Sequence, residues 1–219
     1  MTNVIPRFWN PRAGAAIIAL FACLFMTDGA WAQPGQEARE ALSAAVNRIM
    51  ADIKSPDFSN PATREAARGR IENEVYKIFD FGEFSSRTVG PRWKQFSAEE
   101  KKRFADAFAK LLFNTYLNKV TGYNGEQVAY NGETVSPDGK LAEVKTTITL
   151  KDGKRTPVNY RMLLKDGSWR VYDVIIENIS LVRNYRTQFQ DILKSATPDQ
   201  LIERINQKAK EVIAQGAGK

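Results

Sequence analysis

The sequence lacks histidine entirely, and its single cysteine, Cys23, lies in an apolar segment near the N-terminus. These absences exclude Cys/His zinc sites, nucleophiles activated by histidine and imidazole acid–base catalysis. The sequence also has no GxxxxGK[ST] phosphate-binding loop and no acidic cluster with the spacing of a calcium loop. Carboxylates, tyrosines, lysines and serines remain for chemistry. We therefore predict neither a metal site nor a cofactor.

The first 32 residues are typical of an export signal. Arg7 and Arg12 supply positive charge, and the apolar run Ala13–Met26 is short for a membrane span. The segment Ala30–Ala32 has the small-x-small pattern of a cleavage site. An uncleaved membrane anchor is the alternative. We predict that residues 1–32 are a cleaved signal peptide and that the mature protein is exported.

Cleavage would leave residues 33–219, which are enough for a single domain with a sizeable core. It would also remove Cys23, so the mature chain would form no disulfide. The chain is basic, with 32 lysines and arginines against 25 aspartates and glutamates. Export argues against nucleic acid as the partner and favours acidic headgroups, anionic membrane surfaces or an acidic protein. Simple solubility is the alternative, because the basic residues form no long run.

Helical periodicity dominates both ends of the mature chain. In the second predicted helix Asn60 is the N-cap and Pro61 the first helical residue, and the fourth begins with the capping box Ser97–Glu100. We predict helices over Gln36–Ile53, Asn60–Phe79, Phe81–Val89, Ser97–Val120, Leu181–Leu193 and from Pro198 onward. The stripe of the fourth helix is unusually aromatic.

Three Asp-Gly pairs, at 138–139, 152–153 and 166–167, follow one another at intervals of 14 residues. Asp-Gly between alternating segments indicates a β-hairpin turn. Strands are predicted over Glu126–Val135, Leu141–Leu150, Arg155–Leu164 and Ser168–Glu177. Strands of this length should twist and curl. The predicted fold class is α+β, a curled antiparallel four-stranded meander with one apolar face packed against N- and C-terminal helices.

Asp173 and Glu177 are the acids in the last predicted strand, and their spacing tests them as a catalytic pair. Four residues at roughly 3.3 Å each separate them by about 13 Å. Glycosidase carboxylates are closer, at about 5–5.5 or 6.5–9.5 Å, so the pair is excluded. A lone Asp173 acting as general base is one alternative. We favour a cross-strand ion pair of Asp173 with Arg161 or Lys165.

Two stretches resemble the MlaC family, the periplasmic phospholipid-binding proteins also called toluene-tolerance proteins. They are FDFGEFSSRTVGPRWKQFSAEEKKRFADAFAKLLFNTY (Phe79–Tyr116) and TPVNYRMLLKDGSWRVYDVIIENISLVRNYRTQF (Thr156–Phe189). The sequence departs from the family pattern at three positions. Val89 replaces the usual leucine, Asn159 a common aspartate and Asn178 a common glycine. The last two place in doubt a polar contact and a tight turn from strand to helix.

The resemblance implies a monomeric periplasmic carrier, not an enzyme, with an apolar lipid pocket between the curled sheet and the helices. It implies phospholipid as ligand, and as partners an inner-membrane ABC transporter complex and an outer-membrane lipoprotein complex. The helical wall would consist of Trp93, Phe96, Phe108, Leu112 and Tyr116. The sheet wall would consist of Val144, Ile148, Tyr160, Met162, Val174 and Ile176. Tyr185 and Arg186 would lie near the entrance.

Alternatives to a phospholipid carrier remain at this point. The ligand of a carrier could be a hopanoid or another polycyclic lipid. An isomerase or hydratase on a cone-shaped fold would need Asp173 at the cavity floor, and an interaction adaptor would have a filled core. Basic side chains that could meet a phosphate or an acidic docking surface, or simply be solvated, are Arg87, Arg92, Arg161 and Arg183.

Overall fold

Five antiparallel strands form one sheet in sequential order, flanked by helices on either side of it in the sequence. The computed structural model describes residues 37–120, 126–150 and 152–217, so the predicted signal peptide lies outside the described residues. The strands are β1 Gln127–Val135, β2 Leu141–Thr149, β3 Arg155–Lys165, β4 Ser168–Ile176 and β5 Ile179–Ser180. The helices are α1 Glu37–Lys54, α2 Pro56–Ser59, α3 Arg64–Ile78, α4 Phe81–Val89, α5 Ala98–Val120, α6 Leu181–Ile192 and α7 Pro198–Ala217, with a 3-10 helix over Gly90–Gln95. None of the helices described has the length and apolar character needed to cross a membrane.

The α+β class and the first four strands are confirmed, each strand end lying within one residue of its predicted position. The glycine of each Asp-Gly pair has φ between +70° and +80°, a left-handed conformation that glycine adopts without steric cost. Register shifts leave Asn131 of β1 without a partner opposite β2 and Tyr172 of β4 without a partner opposite β3. Such bulges increase the local twist of a sheet.

The count of four strands is wrong, because a fifth strand precedes α6. Glu177 and Asn178 have φ of 48° and 68°, and β4 and β5 pair through Ile176 and Ile179. Two consecutive left-handed residues are the signature of a two-residue hairpin turn. Asparagine tolerates this conformation better than most residues. The tight turn therefore forms even though Asn178 stands where the family has glycine, and the chain makes a short hairpin before it becomes helical.

The second helix also differs from the prediction, since α3 starts at Arg64 and a separate one-turn helix, α2, precedes it. Asn60 accepts a hydrogen bond from the backbone N–H of Ala62 at 3.0 Å, which makes it the first residue of a turn. Thr63 Oγ1 then donates to the carbonyl of Asp57 at 2.9 Å. These local side-chain bonds compete with the helix and delay its start.

The N-terminal capping box of α5 is confirmed. The backbone N–H of Glu100 donates to Ser97 Oγ at 3.1 Å, and that of Ser97 donates to Glu100 Oε2 at 2.7 Å. Thr197 and Gln200 repeat this exchange at the start of α7. Both long helices thus begin where the sequence predicts.

Asp80 joins α4 to the sheet and gives a first testable prediction. Its Oδ1 accepts from the N–H of Glu83 at 2.8 Å, and its Oδ2 accepts from Lys165 Nζ at 2.7 Å. Burial alone would raise the pKa of Asp80, but the Lys165 ammonium and the Glu83 N–H together hold it below its ordinary value of 3.8. A depressed carboxyl pKa contributes stability above the ordinary pKa, and that contribution is lost as pH falls through the folded value.

Asp80→Ala is therefore expected to destabilise the protein by about 1–2 kcal/mol at pH 7, the usual cost of losing a helix cap. The difference from wild type should begin to shrink below about pH 4, where the carboxyl of the unfolded chain takes up a proton, and should shrink further as pH falls through the depressed pKa of the folded carboxyl. Urea unfolding at pH 7 and pH 2.5 measures both values. Asp80→Asn serves as control, because asparagine caps helices as well as aspartate but cannot pair with Lys165 as an anion. A difference between wild type and Asp80→Ala that is constant with pH would contradict this account.

Candidate functional site

An apolar cavity of about 430 Å³ lies between the sheet and the helices of the N-terminal half. Its helical wall consists of Leu42, Ala45, Val46, Ile49, Met50, Ile53, Ile71, Val75, Ile78, Phe79, Phe81, Phe84, Leu112, Phe113 and Tyr116. The sheet side consists of Glu126, Val128, Ile148, Leu150, Val158, Tyr160, Val174, Ile176 and, at the start of α6, Leu181. Among these lining residues Glu126 is the only charged one.

The periodicity of each element explains the lining. On α1 the residues at 42, 45, 46, 49 and 53 form one helical stripe, and 71, 75 and 78 form another on α3. On the sheet, cross-strand neighbours line the cavity together: Val128 pairs with Ile148 and Tyr160 with Val174. Side chains paired across adjacent strands lie on the same face of a sheet. Two helical stripes and one sheet face therefore enclose the space.

Half of the predicted pocket residues are brought together by the structure. The six that line the cavity are Leu112, Tyr116, Ile148, Tyr160, Val174 and Ile176. The six that lie outside its lining are Trp93, Phe96, Phe108, Val144, Met162 and Tyr185. Val144 and Met162 are on the apolar face of the sheet but are completely buried in the core. Strand periodicity gave the correct face for both, but not their place along the strand.

The other aromatic residues fill the space between the 3-10 helix, α5 and α6. Phe108 lies 4.9 Å from Tyr185 and 5.2 Å from Phe189 between ring centroids, and Trp93 lies 5.6 Å from Phe104. The rings meet edge to face, the arrangement that aromatic pairs prefer in cores. The aromatic stripe of α5 is thus packed core in its first half. The cavity begins only at Leu112, one turn beyond Phe108.

Sequence reasoning assigned no ligand role to α1, α3 or α4, which supply most of the helical wall. The stripes of α1 and α3 were recognisable as buried faces, and Phe79, Phe81 and Phe84 belong to the first MlaC-like stretch. A stripe that lines a hollow has the same spacing as one that packs against another helix. No signal in a single sequence separates the two cases.

Asp173 lies outside the cavity lining and is bound by protein groups. Its Oδ2 accepts from Ser180 Oγ at 2.7 Å and from Arg161 Nη1 at 3.4 Å, and its Oδ1 accepts from the N–H of Val182 at 3.0 Å. The predicted ion pair with Arg161 is confirmed, whereas Lys165 pairs with Asp80. This carboxylate anchors the beginning of α6 and does not face the cavity.

The remaining predicted polar residues are surface contacts. Glu177 lies 3.5 Å from Lys154, with both side chains more than half exposed. Arg87 pairs with Glu83 and its guanidinium lies 4.1 Å from the ring centroid of Tyr172. Arg186, predicted near the entrance, donates from Nε to the carbonyl of Arg87 at 2.7 Å. Arg92 and Arg183 are exposed.

Asn159, which replaces a common aspartate of the family, still makes a polar contact, with Glu143 of β2. Asn159 Nδ2 donates to Glu143 Oε1 at 3.2 Å, and Arg161 Nε donates to Glu143 Oε2, also at 3.2 Å. Glu143 therefore binds both side chains on the outer face of the sheet. Within the described ranges no cluster of three carboxylate, cysteine or histidine side chains could hold a metal ion.

Two partly buried tyrosines, Tyr160 and Tyr185, give a second prediction. Burial raises the pKa of Tyr160 to about 12, with a smaller effect from Tyr130, and burial with the nearby Tyr116 raises that of Tyr185 to about 12. A raised folded pKa means that the stabilisation is complete below the ordinary pKa of about 10 and is lost as pH rises through 12. Tyrosine ionisation followed by ultraviolet absorbance should therefore show a component above pH 11.

Tyr160→Phe should reduce that late component and make the loss of stability between pH 10 and 12 less steep. Tyr185→Phe should likewise reduce the late component, because Tyr185 lies in the aromatic core beside Phe108 and Phe189. The same titration in 8 M urea is the control, because the unfolded chain should titrate near pH 10 throughout. A late component that is unchanged in both variants would contradict the assignment.

The chain resembles proteins and a protein family that are already described. A sequence model of the family described as MlaC protein matches residues 43–207. The intermembrane phospholipid transport system binding protein MlaC of Haemophilus influenzae is 22% identical over 175 residues, 78% of this chain and 82% of that protein. The toluene tolerance protein ttg2D of Pseudomonas putida is 24% identical over 160 residues, 73% of this chain and 74% of that protein.

A solved phospholipid-binding protein from Ralstonia solanacearum, in complex with a phospholipid, has the same fold. The two structures superpose with a TM-score of 0.71 at 23% sequence identity. The superposition covers 81% of this chain and 99% of the Ralstonia chain. The structural likeness and the two relatives agree with the resemblance seen in the sequence. Since the family model spans residues 43–207, well over half of the sequence, the chain belongs to the MlaC family.

Proposed function

We propose that the protein is a periplasmic carrier that binds phospholipid by its acyl chains. It would move the lipid between an outer-membrane lipoprotein complex and an inner-membrane ABC transporter complex. The observation that supports this function is the 430 Å³ cavity, whose lining is apolar except for Glu126 and the hydroxyls of Tyr116 and Tyr160. Such a lining can bind hydrocarbon. The names of the relatives, which include phospholipid transport and phospholipid binding, support the same function.

The size of the cavity matches an acyl chain. An apolar cavity of about 150 Å³ accommodates benzene, which corresponds to roughly 25 Å³ per carbon atom. A volume of 430 Å³ therefore holds about 17 carbon atoms, or one long acyl chain. A diacyl phospholipid would need more room than the cavity has in this conformation. No residue of the described lining favours a polycyclic lipid or an isomerase substrate.

Binding of this kind requires a means of release. Burial of one CH₂ contributes about 0.8 kcal/mol, so a chain of some 16 carbons gains roughly 12 kcal/mol before the cost of association. Spontaneous release would then be slow. A membrane complex that stabilises a more open conformation would accelerate it, because a ligand or partner shifts a protein toward the state it binds better. This is why a carrier of this design needs docking partners at both membranes.

Native mass spectrometry of the full chain expressed with its own N-terminus in a Gram-negative periplasm tests the function. We expect a mature monomer that begins at Gln33 and carries bound phospholipid, with the lipid identified by fragmentation. Vesicle assays with the purified membrane complexes would then measure transfer. A protein that emerges from the periplasm with an empty cavity, and that takes up no phospholipid from vesicles, would overturn the proposal.

A further inference from the structure

Arg68, a half-buried arginine of α3, lies beside the cavity and has no role in the function proposed above. The described lining contains no lysine or arginine, so no cationic side chain inside the cavity could pair with a phosphate group. Arg68 precedes Ile71, the first lining residue of α3, by three positions, and thus continues the same helical stripe by about one turn. Its guanidinium carbon lies 6.0 Å from the ring centroid of Phe113, which also lines the cavity. The helical spacing from Ile71 and the contact with Phe113 together place this charge beside the cavity, although Arg68 itself is not a lining residue.

The guanidinium of Arg68 is held in position by a neutral group. Its Nη2 donates to Asn114 Oδ1 at 3.1 Å, and Asn114 Nδ2 donates in turn to the carbonyl of Lys110 at 2.8 Å. Asn114 is buried, with 6% of its surface exposed. An arginine oriented by a buried amide loses less conformational freedom when it binds a ligand.

The charge of Arg68 is poorly neutralised. Its nearest carboxylate is that of Glu65, at 3.8 Å, and that side chain is 94% exposed, so the pair is weak. Arg70 on the same helix, by contrast, lies 2.6 Å from Asp52 and 3.1 Å from Asp57. Across the described residues, Arg68 Nη1 has no hydrogen-bond partner. The guanidinium thus has donors available and an incompletely balanced charge.

We propose that Arg68, positioned by Asn114, binds the phosphate of a lipid whose acyl chain occupies the cavity. The inference rests on the proposed carrier function and adds a headgroup contact to it. Arginine suits this role because its planar guanidinium donates two parallel hydrogen bonds to a phosphate. The cavity would then select hydrocarbon, and Arg68 would select phosphorylated lipids over neutral lipids with the same chains.

The test compares phosphatidate and diacylglycerol with identical acyl chains on the delipidated, full-length mature protein. Wild type should bind phosphatidate at least about tenfold more tightly, the range expected for charge-assisted hydrogen bonds. Arg68→Gln should remove most of that preference by weakening phosphatidate binding alone. Arg68→Lys should retain part of it, because lysine keeps the charge but not the paired donors. Asn114→Ala should also reduce the preference. Arg204→Gln, an exposed arginine of α7, is the charge-matched control and should change neither affinity.

Inorganic phosphate alone, in millimolar excess, separates a lipid phosphate site from a free phosphate site. We expect no competition with phosphatidate, since most of the binding comes from the acyl chain. Equal affinities of wild type for the two lipids, an equal loss of both in Arg68→Gln, or efficient competition by inorganic phosphate would each overturn the inference. All three outcomes still require lipid binding and leave the carrier function intact. Wild type that binds neither lipid would overturn the carrier function and the inference together.

Discussion

Ala45→Phe is expected to abolish phospholipid binding while the protein remains folded. Ala45 has the smallest side chain in the lining and lies on α1 between Leu42 and Ile49. A phenyl group occupies about 150 Å³ in an apolar cavity, roughly a third of the 430 Å³ available here. The acyl chain would lose room for about six carbons, and at about 0.8 kcal/mol per CH₂ its affinity should fall at least a hundredfold. Ala45 is 1% exposed, so the ring must displace part of the surrounding wall as it enters the cavity, and the melting temperature should fall only slightly.

Ala44→Phe is the matched control for that variant. It adds the same group one residue away on the same helix, where the side chain is exposed. Lipid occupancy, measured by native mass spectrometry and phosphorus content, should be normal for Ala44→Phe and near zero for Ala45→Phe. Normal occupancy of Ala45→Phe at unchanged stability would show that the lipid is bound elsewhere. Loss of lipid together with loss of folding would instead call for smaller substitutions such as Ala45→Leu.

The fold was predictable wherever the signals were local. The Asp-Gly turns predicted the ends of four strands to within one residue. Each turn depends only on two adjacent residues, because Gly139, Gly153 and Gly167 adopt the left-handed conformation that the turn requires. The capping box did the same for α5. β5 was missed because two residues are too few to show a period, and its turn uses Glu177 and Asn178. The start of α3 was missed because Asn60 favours a turn over a helix cap, a choice that depends on the bonds made by Thr63 and Arg64.

The site was predictable only in part, because a cavity is a property of how faces meet. The structure places the predicted sheet residues Ile148, Tyr160, Val174 and Ile176 in the lining of the cavity. The predicted aromatic residues Trp93, Phe96, Phe108 and Tyr185 lie outside the cavity lining. Phe108 and Leu112 occupy the same stripe of α5, yet Phe108 packs against Tyr185 and Phe189 while Leu112 lines the cavity. That difference depends on the position of α6, which periodicity does not specify.

Asp173→Ala is the substitution expected to destabilise the fold most among the polar residues. The carboxylate is 2% exposed and accepts from Ser180 Oγ, Val182 N–H and Arg161. Each buried donor left without its acceptor costs about 1–3 kcal/mol. Arg161 is 39% exposed and also lies 3.2 Å from Glu143, so it can find other partners. The expected loss is therefore about 3 kcal/mol in the free energy of unfolding, measured with urea. Asp173→Asn, which can still accept from one donor, should lose about 2 kcal/mol.

The same substitution separates an anchoring role from a catalytic one. Ser180 and Leu181 begin α6, and Leu181 lines the cavity, so loosening this turn should also weaken lipid retention in proportion to the loss of stability. Glu177→Gln, in the exposed pair with Lys154, should change stability by less than about 0.5 kcal/mol and leave lipid occupancy unchanged. Ser180→Ala should lower the free energy of unfolding by about 1 kcal/mol, less than the Asp173 variants and more than Glu177→Gln. An Asp173→Asn protein as stable as wild type would show that this carboxylate is not the anchor of α6 and would reopen the question of its role.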